Sequence, residues 1–420
     1  MGKKDSKKIY LTMKLYITIT PFFPEPDNFR GPFVYDQVKA IEQIGKYDNS
    51  IVFKPKKFND KRDSYIYDGI KVILFPTIEM PSYILNGITN GINCYSFRNA
   101  LKKNNININD IAVVHGHTSS YACYGVALKK INPQIISIVQ HHDPDPFTIR
   151  NGKFSFNYLN LFVRTSINRK LFNKVDLHVS VSKYVEENLL KFPYSAKDES
   201  FDSYLKHLRI AKKLNIRPID AKNSLILYNG VDTSKFYPTN TKKCCDKFII
   251  GCVANFIDWK DQITLIKAVE ILKNKGYNNI LVRFIGSGAT LNSCKEYVEN
   301  NNLTEYISFE TEIGHRELNN FYNSLDLFVL PSFFEGFGCV FAEAHACGVP
   351  FIAVKEQGIS ELIPEKDIDK WLIDKGDFIS LSNKIENYIN NRYKQELTTN
   401  IDINYLVGNF LDYISKNYSC

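Results

Sequence analysis

Apolar runs of strand length alternate with helix-type apolar spacing along most of the chain. The first half predicts strands over 14–20, 50–55, 70–76, 110–117, 134–142 and 175–182, and helices over 32–46, 120–131 and 183–192. The second half predicts strands over 247–255, 279–285, 306–311, 325–332 and 349–354, and helices over 262–276 and 404–417. Because strands that alternate with helices form parallel sheets, the pattern predicts an α/β protein.

The two α/β series are separated by a polar stretch over 193–223, with one predicted helix near 202–214. A length of 420 residues is comfortable for two domains. We therefore predict an N-terminal domain over 1–225 and a C-terminal domain over 226–399. The terminal helix, at about 400–420, is predicted to pack back on the first domain.

Composition narrows the class of protein. Nine cysteines lie without metal-ligand spacing, and the odd count and scatter favour a reduced, cytoplasmic protein. A net charge of +8 favours anionic substrates or peripheral contact with an anionic inner membrane. The chain lacks a basic stripe interleaved with aromatic residues, so we do not expect a nucleic-acid partner. It also has no apolar run of membrane-spanning length.

The first residues, "MGKKDS", match an N-myristoylation pattern. We interpret them instead as a short extension before the first strand, with Met13 as an alternative start. Several predicted strands end in polar residues, among them Thr20, His115 and His141. In open α/β sheets the ligand crevice lies beyond these carboxyl ends, so such residues, together with His117, are candidates to line it.

The stretch 331–363 carries the densest candidate chemistry. A nearly all-apolar strand ends at Pro331, a turn follows with Gly336 and Gly338, and a helix then begins. The start of a helix presents backbone N–H groups that favour anions. The carboxylates of Glu335 and Glu343, eight positions apart, suit paired hydroxyl groups. Phosphate and hydroxyl groups together indicate a nucleotide, a sugar, or both.

This stretch resembles the E-x7-E segment of retaining glycosyltransferases of family 4, which have the GT-B fold of two facing Rossmann-like domains and a deep interdomain cleft. The likeness covers nearly the whole chain and is strongest over 224–365. Other segments that match in order are "NGVDTSKFYP" (229–238), "VANFIDWKD" (253–261), "FIGSG" (284–288) and "GISELI" (358–363).

The resemblance implies roles for residues of the second domain. Glu335 would contact the donor sugar, Glu343 would hold the ribose hydroxyl groups, and Lys260 would bind the diphosphate. Asn255 stands where the family usually has an arginine, which removes one cation from the donor site. Backbone N–H groups of Gly338 and Cys339 and the carboxylate of Glu361 would also lie near the donor.

In the first domain, Gly31 lies where the family has a glycine-rich loop facing the diphosphate, and Arg30 is a candidate replacement for the missing charge. The segment "VQHHDPD" (139–145) resembles one with a histidine near the reaction centre. Either His141 or His142 fits that place. The spacing to Asp145 favours His142.

We therefore expect a retaining hexosyltransferase that moves a sugar from a UDP- or GDP-sugar to a glycan or lipid-linked acceptor in surface polysaccharide synthesis. We expect no cofactor and no metal, because a metal-binding D-x-D pattern is absent from a suitable place. The alternatives are a non-catalytic nucleotide-sugar-binding partner and another GT-B enzyme such as a nucleotide-sugar epimerase. The sugar, the base and the acceptor stay open.

Overall fold

The computed structural model describes residues 14–25, 31–56, 59–79, 87–142, 166–190, 213, 221, 223–239, 246–315 and 317–418. Arg30, Asp145 and nearly all of the helix predicted near 202–214 lie outside these residues. The contacts divide the chain into two compact units, with boundaries after 179, 188, 225 and 407. In the described part of the chain, no helix is both long and apolar enough to cross a membrane.

The first unit is built on a largely parallel sheet. Its strands are β1 (Leu15–Ile19), β2 (Asn49–Lys56), β3 (Ser64–Tyr67), β4 (Ile70–Pro76), β5 (Ile111–Gly116), β6 (Ile136–His141), β7 (Leu177–Ser180) and β8 (Ser224–Ile226). They lie in the order β3-β4-β2-β1-β5-β6-β7-β8. Strand β1 pairs in parallel with both β2 and β5, whereas β3 pairs antiparallel with β4. Apart from β3 and β8, this is the doubly wound order 3-2-1-4-5-6.

Three itemised helices pack against this sheet: α1 (Pro32–Ile44), α2 (Asn90–Lys103) and α3 (Ala122–Lys129). The helix α2 turns Phe97 into an aromatic core. The ring centroid of Phe97 lies 5.0 Å from that of Phe53 and 5.1 Å from that of Tyr124. Burial of such large rings is the main stabilisation of this layer.

The second unit repeats the same topology. Its strands are β9 (Phe248–Val253), β10 (Ile280–Ile285), β11 (Ile307–Glu310), β12 (Leu327–Val329), β13 (Phe351–Val354) and β14 (Leu372–Ile373). They lie in the order β11-β10-β9-β12-β13-β14, again 3-2-1-4-5-6, and their pairings are parallel. The residues of β12 are fully buried, as its continuous apolar sequence predicts for a strand covered on both faces.

The helices of the second half of the chain cover this sheet. They are α4 (Lys183–Leu190), α5 (Gln262–Asn274), α6 (Leu291–Asn300), α7 (Leu318–Asn323), α8 (Cys339–Ala346), α9 (Ile368–Trp371), α10 (Phe378–Asn391) and α11 (Ile403–Asn417). The last of these is shared, because the unit boundary falls after Val407.

The units depart from the predicted domains at two places. Residues 180–188, predicted in the first domain, belong to the second unit. The terminal helix belongs to the first unit only from Gly408 onward, where Phe410 lies 5.8 Å from the ring of His115. Before that point the chain packs on the second unit, and the N–H of Ile403 donates to the carbonyl of Val231 at 2.9 Å.

Several elements were missing from the sequence prediction. Strand β3 is short and alternates exposed and half-buried residues, which weakens its apolar signal. It joins β4 through Asp68 and Gly69, whose φ angles are +47° and +82°. An Asp-Gly pair with two positive φ angles is a strong hairpin signal, so this strand was detectable. The helix α2 was also missed, because its apolar residues do not follow one clean stripe.

Candidate functional site

Two loops of the second unit bring the candidate donor residues together. Lys260 follows β9, and Glu335 follows β12, the strand beside β9 in the sheet. These neighbours are the strands at which the order 3-2-1-4-5-6 reverses direction. In doubly wound sheets the crevice for a ligand opens beyond the carboxyl ends at this switch point.

A close ion pair joins the two loops. Nζ of Lys260 lies 2.5 Å from Oε1 of Glu335, and their side chains are 20% and 11% exposed. The carbonyl of Trp259 fixes the loops further, since it accepts hydrogen bonds from the N–H of Phe333 at 2.7 Å and from Oγ of Ser332 at 3.0 Å. The predicted pair of catalytic residues is therefore held on a braced backbone.

Gly338 sets the start of helix α8. It is the residue before the helix and has a φ of +88°. A Cβ at this position would lie 2.8 Å from Cδ2 of Phe341. A side chain is therefore disfavoured both by the left-handed conformation and by the close packing. This turn sets Cys339 at the first position of the helix and Glu343 one turn further on.

The carboxylate of Glu343 is buried and held from two sides. Oη of Tyr322 donates a hydrogen bond to Oε2 of Glu343 at 2.8 Å, and Nε2 of His315 lies 3.7 Å from Oε1. Burial, and then the neighbouring Glu343 charge, raises the pKa of Tyr322 well above its usual range, so the phenol stays a donor. Sequence spacing did not suggest Tyr322 or His315, because both lie on other elements than Glu343.

Tyr322→Phe is expected to lower nucleoside diphosphate affinity by about 5- to 20-fold with little change in kcat. The variant keeps the ring against Phe236 and Phe328 but releases one carboxylate oxygen of Glu343. Calorimetric titration with nucleoside diphosphates measures the effect. Tyr277→Phe is the matched control, since Tyr277 donates to Oε1 of Glu386 at 3.0 Å elsewhere in the unit. Equal losses in the two variants would contradict the assignment.

Glu361 has a structural role that the sequence did not indicate. Its two carboxylate oxygens accept hydrogen bonds from the N–H groups of Lys183 at 2.9 Å and Tyr184 at 2.6 Å, at the start of helix α4. Burial raises the pKa of Glu361, although these two N–H groups oppose the shift. A carboxylate at a helix N-terminus satisfies otherwise unpaired donors. Contact of Glu361 with a donor nucleotide stays a prediction.

Asn255 and Cys339 lie in the two loops that carry the ion pair. Asn255 is exposed, and its carbonyl accepts a hydrogen bond from Nε2 of Gln262 at 3.0 Å. Lys260 is the single basic residue of the segment 254–261. Nδ2 of Asn229 lies 3.7 Å from Sγ of Cys339, which ties the segment entering the unit to the start of α8.

In the first unit, Gly31 begins helix α1 with a φ of +81°. A Cβ there would lie 2.6 Å from the backbone carbonyl of Phe22, so only glycine fits without a backbone shift. The helix therefore starts against the loop that leaves β1, at the carboxyl edge of the first sheet. This is the edge at which the sequence predicted a ligand crevice.

The structure separates the two candidate histidines. His141 is 1% exposed at the end of β6, whereas His142 is half-buried. The ring of His142 lies 4.8 Å from that of Phe33, and its Nε2 lies 3.0 Å from Nδ1 of His117. Of the two residues, His142 therefore has the greater access to solvent, while His117 beneath it is fully buried.

His141 takes part in a buried chain whose tautomers follow from its last acceptor. Nε2 of His178 lies 3.0 Å from the carbonyl of Phe172, which only accepts, so His178 carries its proton on Nε2. Nδ1 of His178 must then accept from Nε2 of His141 at 3.1 Å. Nδ1 of His141 in turn accepts from Oγ of Ser119 at 3.0 Å. Both histidines are thus neutral structural groups.

Burial lowers the pKa of every histidine in this region for which a shift is resolved. The pKa of His115 falls to about 3 and that of His178 to about 4, and those of His117 and His141 fall well below 6.5. Among the described residues, no group of three or more His, Cys, Asp or Glu side chains is arranged to hold a metal ion. The cluster is therefore a network of neutral rings in the described structure.

Comparison with solved structures identifies the fold. Sucrose-phosphate synthase from Thermosynechococcus elongatus matches 96% of this chain and 98% of its own, with a TM-score of 0.69 and 16% identity. Anabaena HepE, solved with UDP and glucose, matches 95% of this chain and 99% of its own, with a TM-score of 0.64 and 15% identity. The fold is GT-B, with two Rossmann-like domains, and the predicted fold class is confirmed.

Sequence comparison concerns mainly the second unit. Residues 235–404 match the family model described as glycosyl transferases group 1. The capsular polysaccharide biosynthesis glycosyltransferase CapM of Staphylococcus aureus is 32% identical over 180 residues, which are 40% of this chain and 45% of that protein. An uncharacterized glycosyltransferase of Methanocaldococcus jannaschii is 26% identical over 73% of this chain and 72% of its own.

The chain therefore spans less than half the length of the Staphylococcus relative that it matches. Together, the family model, the relatives and the fold support a glycosyltransferase of the GT-B type. Membership of family 4, the retaining mechanism and the nature of the donor are finer statements, and they are taken up next as proposals.

Proposed function

We propose that this protein is a retaining glycosyltransferase of the family 4 type that moves a sugar from a nucleoside diphosphate sugar to a glycan or lipid-linked acceptor. The carrying observation is the Lys260–Glu335 pair at the switch point of the second sheet, one loop before the start of α8. The complex of Anabaena HepE with UDP and glucose supports a nucleotide-sugar donor. The capsular polysaccharide relative supports a role in surface polysaccharide synthesis.

The chemistry follows from the charges at this site. Departure of a nucleoside diphosphate leaves negative charge on the phosphate and positive charge on the sugar. The Lys260 ammonium and the N–H groups at the start of α8 are suited to the phosphate. The Glu335 carboxylate is suited to the sugar, and the ion pair holds it in one orientation before the donor binds. Glu343, fixed by Tyr322, is suited to the ribose hydroxyl groups.

The proposal keeps four earlier predictions. His142 is the catalytic histidine of the first unit, and Gly31 gives the diphosphate close access to the backbone. The reaction needs no metal or other cofactor, and the protein works in the cytoplasm. Asn255 leaves one cation fewer than the family pattern, and Arg30 is the proposed replacement. A charge reversal at Arg30 that leaves donor affinity unchanged would remove that last role.

The test is thermal stabilisation and nucleotide release over a panel of UDP-, GDP- and ADP-sugars. We expect one donor to stabilise the protein and to release its nucleotide slowly in water, and faster with an acceptor extract. The anomeric configuration of the product, read by NMR, tests retention. Binding of a donor without nucleotide release under any acceptor extract would instead favour the non-catalytic binding partner. Epimerised donor in the reaction mixture would favour an epimerase.

A further inference from the structure

The outer face of helix α2 carries an unusual set of exposed side chains. Ile92 and Tyr95 on the helix are 59% and 60% exposed, and Ile78 and Ile88 beside its first turn are 51% and 58% exposed. The N–H of Ile78 donates to Oδ1 of Asn93 at 2.8 Å, which fixes this residue against the helix start. These four large apolar groups account for much of the exposed apolar surface of the first unit, and they are neighbours.

Helical spacing puts these residues on one face. Positions 88, 92, 95, 99 and 102 follow the i, i+3, i+4 pattern that lines one side of a helix. The opposite side is buried and consists of Asn93, Phe97, Ala100 and Leu101. The outer face therefore runs from Ile88, Ile92 and Tyr95 to Lys102 and Lys103, which are exposed in the last turn. We call these five residues and Ile78 the α2 surface.

The charge of the α2 surface is of one sign. The sequence from Ile88 to Asn105 contains three basic residues and no acidic residue. The nearest acidic residue in the chain, Glu79, accepts a hydrogen bond from Oη of Tyr121 at 2.5 Å. Exposed apolar patches mark interaction sites, and lysine is depleted at protein–protein interfaces. Isoleucine and tyrosine beside lysine instead suit the boundary of an anionic bilayer.

The position of the α2 surface fits this occupant. Helix α2 follows the carboxyl end of β4, and Oγ of Ser96 donates to the carbonyl of Pro76 at the end of that strand. The apolar half of the surface thus lies at the carboxyl edge of the first sheet, the edge that also carries Gly31 and His142. A bilayer on this surface would present a lipid-linked acceptor to the edge where sugar transfer is proposed.

We propose that the α2 surface docks this protein on an anionic lipid membrane, with Ile78, Ile88, Ile92 and Tyr95 in the headgroup boundary and the lysines on the anionic headgroups. The choice of a lipid-linked acceptor rests on the proposed function, whereas the membrane contact itself does not.

The test is co-sedimentation of the full chain with vesicles. We expect binding to vesicles of equal parts phosphatidylglycerol and phosphatidylcholine, weakened by salt, and much weaker binding to phosphatidylcholine alone. The variant Ile88→Ser/Ile92→Ser/Tyr95→Ser is expected to lose binding. The variant Lys102→Gln/Lys103→Gln is expected to weaken it by about 20-fold on anionic vesicles. Since all five positions are exposed, both variants should keep the native melting temperature.

The matched control is Ile66→Ser/Ile379→Ser, which removes two isoleucines that are 69% and 58% exposed outside the α2 surface. We expect it to bind vesicles like the unmodified protein. Absence of binding to anionic vesicles, or equal binding by the triple variant, would overturn the proposal. A dimer that the triple variant converts to a monomer would assign the surface to a second copy. Nucleotide release without vesicles is measured in parallel, so failure of docking and failure of the transferase proposal are told apart.

Discussion

Lys260→Ala is expected to lower kcat for sugar transfer by about 100- to 1,000-fold, because it removes the positive charge placed to stabilise the leaving diphosphate. It also leaves the Glu335 carboxylate, whose side chain is only 11% exposed, without its ion-pair partner. Glu335→Gln is expected to give a loss of similar size. Nucleotide release and product formation, measured separately, give kcat for each variant.

The double variant provides a second criterion. Because the two side chains are in contact, their effects are expected to be non-additive, and the double variant should lose less than the product of the single losses. The control is Lys275→Ala, which breaks the pair between Lys275 and Glu386, also 2.5 Å long and in the same unit. An unchanged kcat in Lys260→Ala, or a loss as large in the control, would be incompatible with the proposed role.

Acidification is expected to destabilise the first unit well before its carboxylates are protonated. Burial lowers the pKa of His115 to about 3 and that of His178 to about 4, against about 6.5 in an unfolded chain. Between these values the unfolded state binds protons that the folded state does not bind. Stability is therefore full above pH 6.5 and is lost as the pH falls, by about 2 kcal/mol per histidine at pH 5.

Hydrogen exchange of peptides from β1 and β5, corrected for intrinsic rates, measures this loss. The informative variant is Tyr16→Phe/His115→Phe, which removes the titrating ring together with the phenol 2.6 Å from its Nδ1. An aromatic ring remains beside Phe410, so the packing is preserved. We expect the loss of stability between pH 7 and pH 5 to shrink by about 2 kcal/mol.

The single variant Tyr16→Phe keeps His115 buried and should keep the full pH dependence. If both variants and the unmodified protein lost stability equally between pH 7 and pH 5, the histidine network would not be the cause. The same outcome would leave the tautomer assignment of His141 and His178 intact, because that assignment rests on the acceptor character of the Phe172 carbonyl.

The arrangement of Glu343 shows where reading the sequence stops. The sequence put Glu343 on a helix, and α8 has it there. Its hydrogen-bond partner Tyr322 is 21 positions away on another helix, and no periodic pattern links the two. Glu361 is a clearer case, since it binds backbone N–H groups 177 and 178 positions away. Such long-range pairs depend on how finished elements pack, which local spacing does not encode.

By itself, the sequence determined the fold class, most strands, and the two loops that carry Lys260 and Glu335. It could do so because strand and helix periodicities and glycine turns are local properties of the chain. The tertiary structure alone decided that Lys260 and Glu335, 75 positions apart, form an ion pair, and that His141 is buried while His142 is half-buried. It also decided that α2 leaves four large apolar groups exposed. These properties arise when distant segments meet and exclude water, so they exist only in the folded chain.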